Sequence, residues 1–239
     1  MCRLLGMVSG RERDLSYYLV DARNALREQG PKHPHGWGIA AFRSGAWTLT
    51  RAPRPAHEDE QFVRDARSAR GTTFIAHIRN ASRGAHTLPN THPFLRHGWM
   101  FAHNGTVLND DEFRNAIAPD LAPLGQTDSE LLFCRILTEM RETCAEYPAA
   151  PPEAVAACLA EIMPRVRPQT GTAILLSDGV CLHFYRSGNP LKRLSPRSAE
   201  PPMLLLASEP IGDEEWTDLP DADGGYVDPT GTIRLWSAG

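Results

Sequence analysis

Met1-Cys2-Arg3-Leu4-Leu5-Gly6-Met7-Val8-Ser9 opens the chain. Residues 2–9 read as a buried strand, and a cysteine stands at its very start. If Met1 is removed, the first residue carries a thiol and a free α-amine on one Cα. The thiolate is the reactive form, and a free cysteine of pKa ~8.5 is only a few per cent ionised at neutral pH. An α-amine titrates at about 7.7–8.0 and can take the thiol proton without a histidine. One residue then serves as nucleophile and base.

Working outward, the pattern alternates between strands and helices. Residues 13–27 have helical character. Residues 37–42 and 47–50 flank Ser44-Gly45 as a hairpin. A charged helix is expected over 58–70, and strands over 72–79 and 99–103. A short helix should start near Asn109, with Glu112 three residues on. Thr127-Asp128-Ser129-Glu130 has capping-box spacing. The helix after it puts Leu132, Phe133, Ile136, Leu137, Met140 and Cys144 on one stripe. A further helix is expected over 152–163. Strands at 173–177 and 180–185 flank Asp178-Gly179, a two-residue turn signal, and 203–208 and 232–236 complete the set. Loops rich in proline occupy 118–126 and 187–202. Strands at both ends with helices between them predict layered α and β, not a βαβ array.

Composition narrows the function. The 239 residues suit one large domain or two small ones. A hydrophobic fraction of 41% with 23% charged residues is that of an ordinary globular enzyme. The net charge of −4 with mixed signs gives no nucleic-acid footprint. Neither a signal peptide nor a membrane-length apolar run is visible. The five cysteines are odd in number and form no C-x-x-C pair, which argues against a disulfide framework and fits a reducing cytoplasm. Cys134, Cys144 and Cys158 read as small core or flanking residues. His33-Pro34-His35 lacks a third ligand at metal-site spacing, so no metal and no cofactor is expected.

Amide hydrolysis by Cys2 needs two fixed donors for an oxyanion. Asn104-Gly105, at a strand end, can offer a side-chain NH₂ and a backbone N–H, although Asn-Gly is also a plain turn signal. Arg79, ending an apolar strand, suits a carboxylate as a planar bidentate cation. Asp128, in the first turn of a helix, suits an ammonium, and it also suits simple capping. Together Arg79 and Asp128 match the head group of a free amino acid, leaving a side-chain amide to face Cys2. His77, His92 and His103 read as structural hydrogen-bonders, since the α-amine already supplies the base.

These segments in this order resemble the class-II glutamine amidotransferase domain of the N-terminal nucleophile (Ntn) hydrolases. The resemblance runs from Cys2 through Gly36-Trp37-Gly38, His77-Ile78-Arg79, His92-Pro93-Phe94, His103-Asn104-Gly105 and Thr127-Asp128-Ser129-Glu130. It ends at Ala207-Ser208-Glu209-Pro210, which resembles the closing strand. It spans nearly the whole chain and implies a single domain over 1–239. The implied fold is α+β, a four-layer αββα sandwich of two antiparallel sheets. The implied roles are Cys2 as nucleophile with its α-amine as base, and Asn104 and Gly105 as the oxyanion hole. Arg79 would hold the substrate carboxylate and Asp128 its amino group. The loop 80–90 would close over the substrate with Ser82 in reach of it.

Larger family members carry a second domain that consumes ammonia, for which 239 residues leave no length. His35-Gly36-Trp37-Gly38 and the tail containing Trp216 are similar to the stand-alone subgroup. That subgroup holds bacterial proteins assigned as glutamine amidotransferases and the γ-glutamyl amide hydrolase of ergothioneine synthesis. The leading expectation is hydrolysis of a small-molecule γ-glutamyl amide through a thioester on Cys2. The alternatives are a glutaminase subunit delivering ammonia to a protein partner, an Ntn enzyme for bile-salt or penicillin-type amides, and a non-catalytic regulatory protein on this fold. Neither nucleic acid nor membrane is an expected partner.

Overall fold

The structure is a computed structural model and describes residues 2–196 and 199–237, so Met1 lies outside the described residues. In chain order the strands are β1 (Arg3–Asp14), β2 (Trp37–Arg43), β3 (Ala46–Ala52), β4 (Arg70–Ile78), β5 (Phe94–Arg96), β6 (Trp99–Val107) and β7 (Pro168–Ser177). They continue with β8 (Leu182–Ser187), β9 (Lys192–Leu194), β10 (Met203–Ala207), β11 (Thr217–Asp218), β12 (Asp223–Val227) and β13 (Ile233–Ser237). The α-helices are α1 (Glu60–Ser68), α2 (Asp110–Arg114), α3 (Asp128–Thr143) and α4 (Pro152–Ile162).

The strands form two antiparallel sheets. The first runs β11-β9-β10-β1-β4-β2-β3 and the second β13-β12-β8-β7-β6-β5. Side-chain alternation divides the apolar residues into three cores. Leu4, Val8, Ala40, Ile75, Met100, Ala102 and Leu175 fill the space between the sheets. Leu5, Met7, Ile39 and Phe74, one residue out of phase, pack outward with Leu19 and with Phe62 of α1. Trp99, Phe101 and Ile174 face away from the first sheet, against Leu132, Phe133 and Ile136 of α3 and Leu159 of α4. Three cores separate four layers, so the expected αββα sandwich is the fold.

Local sequence explains most elements. Thr127 caps α3, its Oγ1 accepting the Glu130 N–H at 3.1 Å. The Glu130 carboxylate departs from the reciprocal capping box: it accepts N–H groups of Leu124 at 2.9 Å and Gly125 at 2.6 Å, fixing the approach to the helix. The expected stripe of α3 is buried as read. Gly38 is required by close approach, because a Cβ there would overlap the His92 carbonyl on the chain entering the second sheet.

Three expectations change. Residues 13–27 are not one helix. β1 continues to Asp14 and leaves a single π turn, Tyr17–Asp21, which ends as Ala22 turns extended and Asn24 takes φ +57°. The hairpin around Asp178-Gly179 spans four residues, since Ser177 pairs with Leu182. Asp178 Oδ1 accepts the N–H groups of Val180 and Cys181, an Asx-type closure that widens the turn. Strands β5, β9, β11 and β12 were not anticipated. The first three have at most three residues, and β12 contains Gly224-Gly225, which weakens a strand pattern.

Candidate active site

Register brings the candidate residues together. β1 and β4 run antiparallel with Arg3 opposite Ile78, so the next pair outward is Cys2 and Arg79. On β1 the side chains of Leu4 and Val8 point between the sheets, and Cys2 shares that phase. On β6, Met100 and Ala102 point there too, and Asn104 shares their phase. Nucleophile and amide therefore enter one inter-sheet space from opposite sheets. The end of β1 is held in place on its other side. The Leu4 N–H donates to Ser208 Oγ at 3.0 Å, the Ser208 N–H donates to the Leu4 carbonyl at 3.1 Å, and Arg3 pairs with Glu209 at 3.0 Å.

Cys2 opens on a small, partly open pocket. Arg79, Ser82, His103, Gly105 and Asp128 line it with Cys2. The residue keeps part of its surface open, yet the thiol lies deep enough that burial pushes its pKa up. The Asn80 N–H, donating to Sγ at 3.2 Å, and the Arg79 charge oppose that rise. Burial pushes Cys134, Cys158 and Cys181 to about 11, 12 and 12. All five cysteines are free thiols, and only Cys2 faces this cavity.

Asn104 is buried at 1% exposure, and among the described residues neither Nδ2 nor Oδ1 of its amide meets a partner. Its carbonyl is fixed by Asn189 Nδ2, which donates at 2.7 Å. Gly105 follows on the cavity wall, where a Cβ would come within 2.8 Å of the Gly171 carbonyl and so has no room. Asp128 is buried as the first residue of α3, and its Oδ2 accepts the Val107 N–H at 2.6 Å.

Arg79 is buried, and its guanidinium already has work. It donates to the carbonyls of Ala85 at 3.1 Å, Arg83 at 2.6 Å and Gly84 at 3.3 Å. The cation thus anchors the loop 80–90. Those three bonds use two of its nitrogens and leave other N–H donors of the fork for a ligand. Ser82 sits at the cavity mouth with Oγ 2.7 Å from Thr106 Oγ1.

The histidines divide. His103 Nδ1 lies 2.8 Å from Ser129 Oγ and Nε2 3.0 Å from Thr172 Oγ1, the structural role expected of it. His77 and His92 instead stack on each other, ring centroids 4.3 Å apart. Burial lowers His77 to about 3 and His103 to about 4, so these rings are neutral near pH 7. Among the described residues no His, Cys, Asp and Glu cluster is arranged to hold a metal ion. Sequence reasoning did not single out Asn189 or Ser208 as supports, or His86 in the loop. Each acts by a backbone or ring contact that only the assembled sheets create.

Comparison with known proteins places the chain in a family. The family model for class-II glutamine amidotransferases matches residues 1–204. YafJ of Escherichia coli K12, a protein assigned as a glutamine amidotransferase, is 31% identical over 197 residues, covering 79% of this chain and 74% of its own. The chain spans 41% and 51% of two further relatives. A glutamine aminotransferase class-II domain protein from Silicibacter pomeroyi has the same fold, with TM-score 0.67 at 22% identity and 99% coverage of both chains. The glutamine phosphoribosylpyrophosphate amidotransferase of B. subtilis superposes with TM-score 0.69 at 15% identity, covering 99% of this chain and 49% of its own. With the family match spanning most of its length and a cysteine at the head of β1, the chain belongs to the class-II glutamine amidotransferases, enzymes of the N-terminal nucleophile type.

Proposed function

We propose that residues 1–239 form one amidotransferase domain that hydrolyses a γ-glutamyl amide, glutamine or a larger one, through a γ-glutamyl thioester on Cys2. The observation that carries this is the shared cavity. A thiol, a buried cation, a buried carboxylate and Gly105 line one pocket, and Asn104 next to Gly105 shares the inward phase of β6.

With Met1 removed, the Cys2 α-amine takes the thiol proton and Sγ attacks the amide carbon. The C–S bond forms as charge moves to the carbonyl oxygen, which Asn104 Nδ2 and the Gly105 N–H receive. Collapse breaks the C–N bond, and the α-ammonium returns its proton to the leaving amine. Water, deprotonated by the same amine, then splits the thioester to glutamate and free thiol. The spare N–H groups of Arg79 hold the substrate carboxylate, Asp128 its ammonium, and Ser82 closes the mouth.

The leaving amine is either ammonia or a larger amine. A glutaminase that passes ammonia to a protein partner uses the same chemistry, and one matching protein, of Rhizobium meliloti, is named glutamine–fructose-6-phosphate aminotransferase. Free thiols at all five cysteines support a reducing, cytoplasmic setting. Among the described residues no helix is long and apolar enough to cross a membrane. The test is glutamate release from L-glutamine by protein whose intact mass shows Met1 removed, with Cys2→Ala as control. Release dependent on Cys2 supports a glutaminase. Inertness toward glutamine but turnover of another γ-glutamyl amide supports the hydrolase, and inertness toward every γ-glutamyl amide refutes both.

A further inference from the structure

We infer that His35 is a positioning residue for the substrate loop: its neutral imidazole pins residues 80–90 at Ala81 beneath the ring of His86, and the loop detaches when His35 takes up a proton. The Ala81 N–H donates to His35 Nδ1 at 2.9 Å. A nitrogen that accepts cannot carry a proton, so the neutral ring keeps its hydrogen on Nε2. The His86 ring lies flat on it, centroids 4.1 Å apart and planes 21° from parallel.

The scaffold side of this contact is separate. The His35 N–H donates to the Arg79 carbonyl at 3.1 Å, and the Arg79 N–H donates to the Gly36 carbonyl at 2.7 Å. The His35 backbone is therefore fixed to the end of β4, while its ring reaches across to the loop. The loop has other ties: the carbonyls of Arg83, Gly84 and Ala85 on the Arg79 guanidinium, which does not titrate near neutrality, the Asn80 N–H on Cys2 Sγ, Ser82 on Thr106 at 2.7 Å, and Arg83 on Asp110 at 3.0 Å. His35 is the tie made through an imidazole, whose free value of about 6.5 lies in the range tested.

Among the described residues, the charged or titratable groups acting on His35 are His86 from the loop and Arg79 from the end of β4, with no carboxylate. Burial first, then His86 and Arg79, lower its pKa in the docked state. The sign follows. A histidine whose docked pKa is depressed supports docking fully above its free value of about 6.5, and that support is lost as pH falls below it. If the docked ring stays neutral, the docking constant falls about tenfold one pH unit below 6.5.

This rests on the proposed function only in taking the loop as the substrate's cover, since Ser82 and Arg83 line the cavity. The experiment is hydrogen exchange of the peptide covering 80–90 in the full chain between pH 8 and 5, corrected for intrinsic rates. Wild type, His35→Gln and His86→Phe are compared. Wild-type protection should fall about tenfold from pH 8 to 5.5, about fivefold of it between 6.5 and 5.5, while β2 and β4 peptides stay protected. His35→Gln, whose amide oxygen can accept from Ala81 without titrating, should flatten the profile. His86→Phe, which keeps a stacking ring without charge, should make it shallower. On glutamine or the accepted amide, KM should rise on acidification in wild type and not in His35→Gln. A flat wild-type profile, or a His35→Gln profile like wild type, overturns the inference. Exchange is read without turnover, so inertness toward every γ-glutamyl amide would sink the proposed function and leave this test standing.

Discussion

Asn104→Ala separates what the site does for catalysis from what it does for the fold. The amide is buried, and among the described residues neither of its polar atoms meets a partner. A donor held that way is preorganised for charge that develops only during reaction. Losing one oxyanion donor costs about 2.7–4 kcal/mol in the barrier, or roughly 10²–10³ in rate. The stability account differs. Removing a buried amide without partners relieves a desolvation cost of about 1–3 kcal/mol. The small cavity left by truncation offsets a similar amount. The net change should lie within about 1 kcal/mol, which for a domain of this size moves Tm by about 2–4 °C. The backbone stays in register, because Asn189 still donates to the Asn104 carbonyl.

The assay is single-turnover acylation followed by glutamate release, with thermal unfolding alongside. Acylation and kcat should fall 10²–10³-fold with KM close to wild type, because the interaction is made in the transition state. Residual rate should exceed that of Cys2→Ala, since the Gly105 N–H remains. An unchanged acylation rate refutes the oxyanion assignment. A Tm loss of ten degrees or more would instead give the amide a structural role.

Asp128→Asn keeps an oxygen to accept the Val107 N–H but loses the charge. It should raise KM about 10–100-fold, the worth of a charge-assisted bond of about 1.5–3 kcal/mol, with little change in urea midpoint. An unchanged KM would remove Asp128 from the ammonium site. The buried histidines give a pH signature: His77 at about 3 and His103 at about 4 lie below the unfolded value near 6.5, so their neutrality stabilises the fold above that pH. Urea midpoints should be level above pH 7 and decline steadily below 6.5, and a flat curve down to pH 5 would contradict neutral burial. Gly38→Ala should cost about 1–3 kcal/mol by equilibrium denaturation, because its Cβ meets the His92 carbonyl and not a movable side chain. Wild-type stability in that variant would show that the 92–93 segment can shift.

Legibility in the sequence tracked the range of the interaction. Elements set by local pattern were read nearly to the residue: β2 and β3 around Ser44-Gly45, the stripe of α3, and the Thr127 cap. Elements set by neighbours were not. The three-residue β5 and β9 are strands only because β6 and β10 supply their partners. β12 crosses its glycines because Trp236 and Phe184 lie where side chains would otherwise stand. The 13–27 segment shows propensity overruled: its start is drawn into β1, where Arg13 and Asp14 pair with Gly71 and Arg70 beyond a register shift.

The site follows the same rule with one instructive exception. Cys2, Asn104, Gly105 and Asp128 could be nominated one by one because each residue type suits one part of an amide hydrolysis, while Ser82 came only with the family resemblance. Their convergence depends on phase, which no single segment carries. Cys2 must share the inward phase of Leu4, and Asn104 that of Met100 and Ala102, on two sheets whose separation is set by side chains such as Leu175 and Ile75. A one-residue slip of β1 against β4 would turn the thiol into the outer core. Ser208 and Glu209 guard against that slip by clamping Leu4 and Arg3 from the opposite edge. Arg79 is the exception, because its residue type predicted a cation for a substrate and the fold gave it a loop to hold as well. Three carbonyls on one guanidinium couple the cover of the cavity to the group nominated to bind the carboxylate inside it. That coupling is invisible in sequence because backbone carbonyls, identical at every residue, are what Arg79 reads.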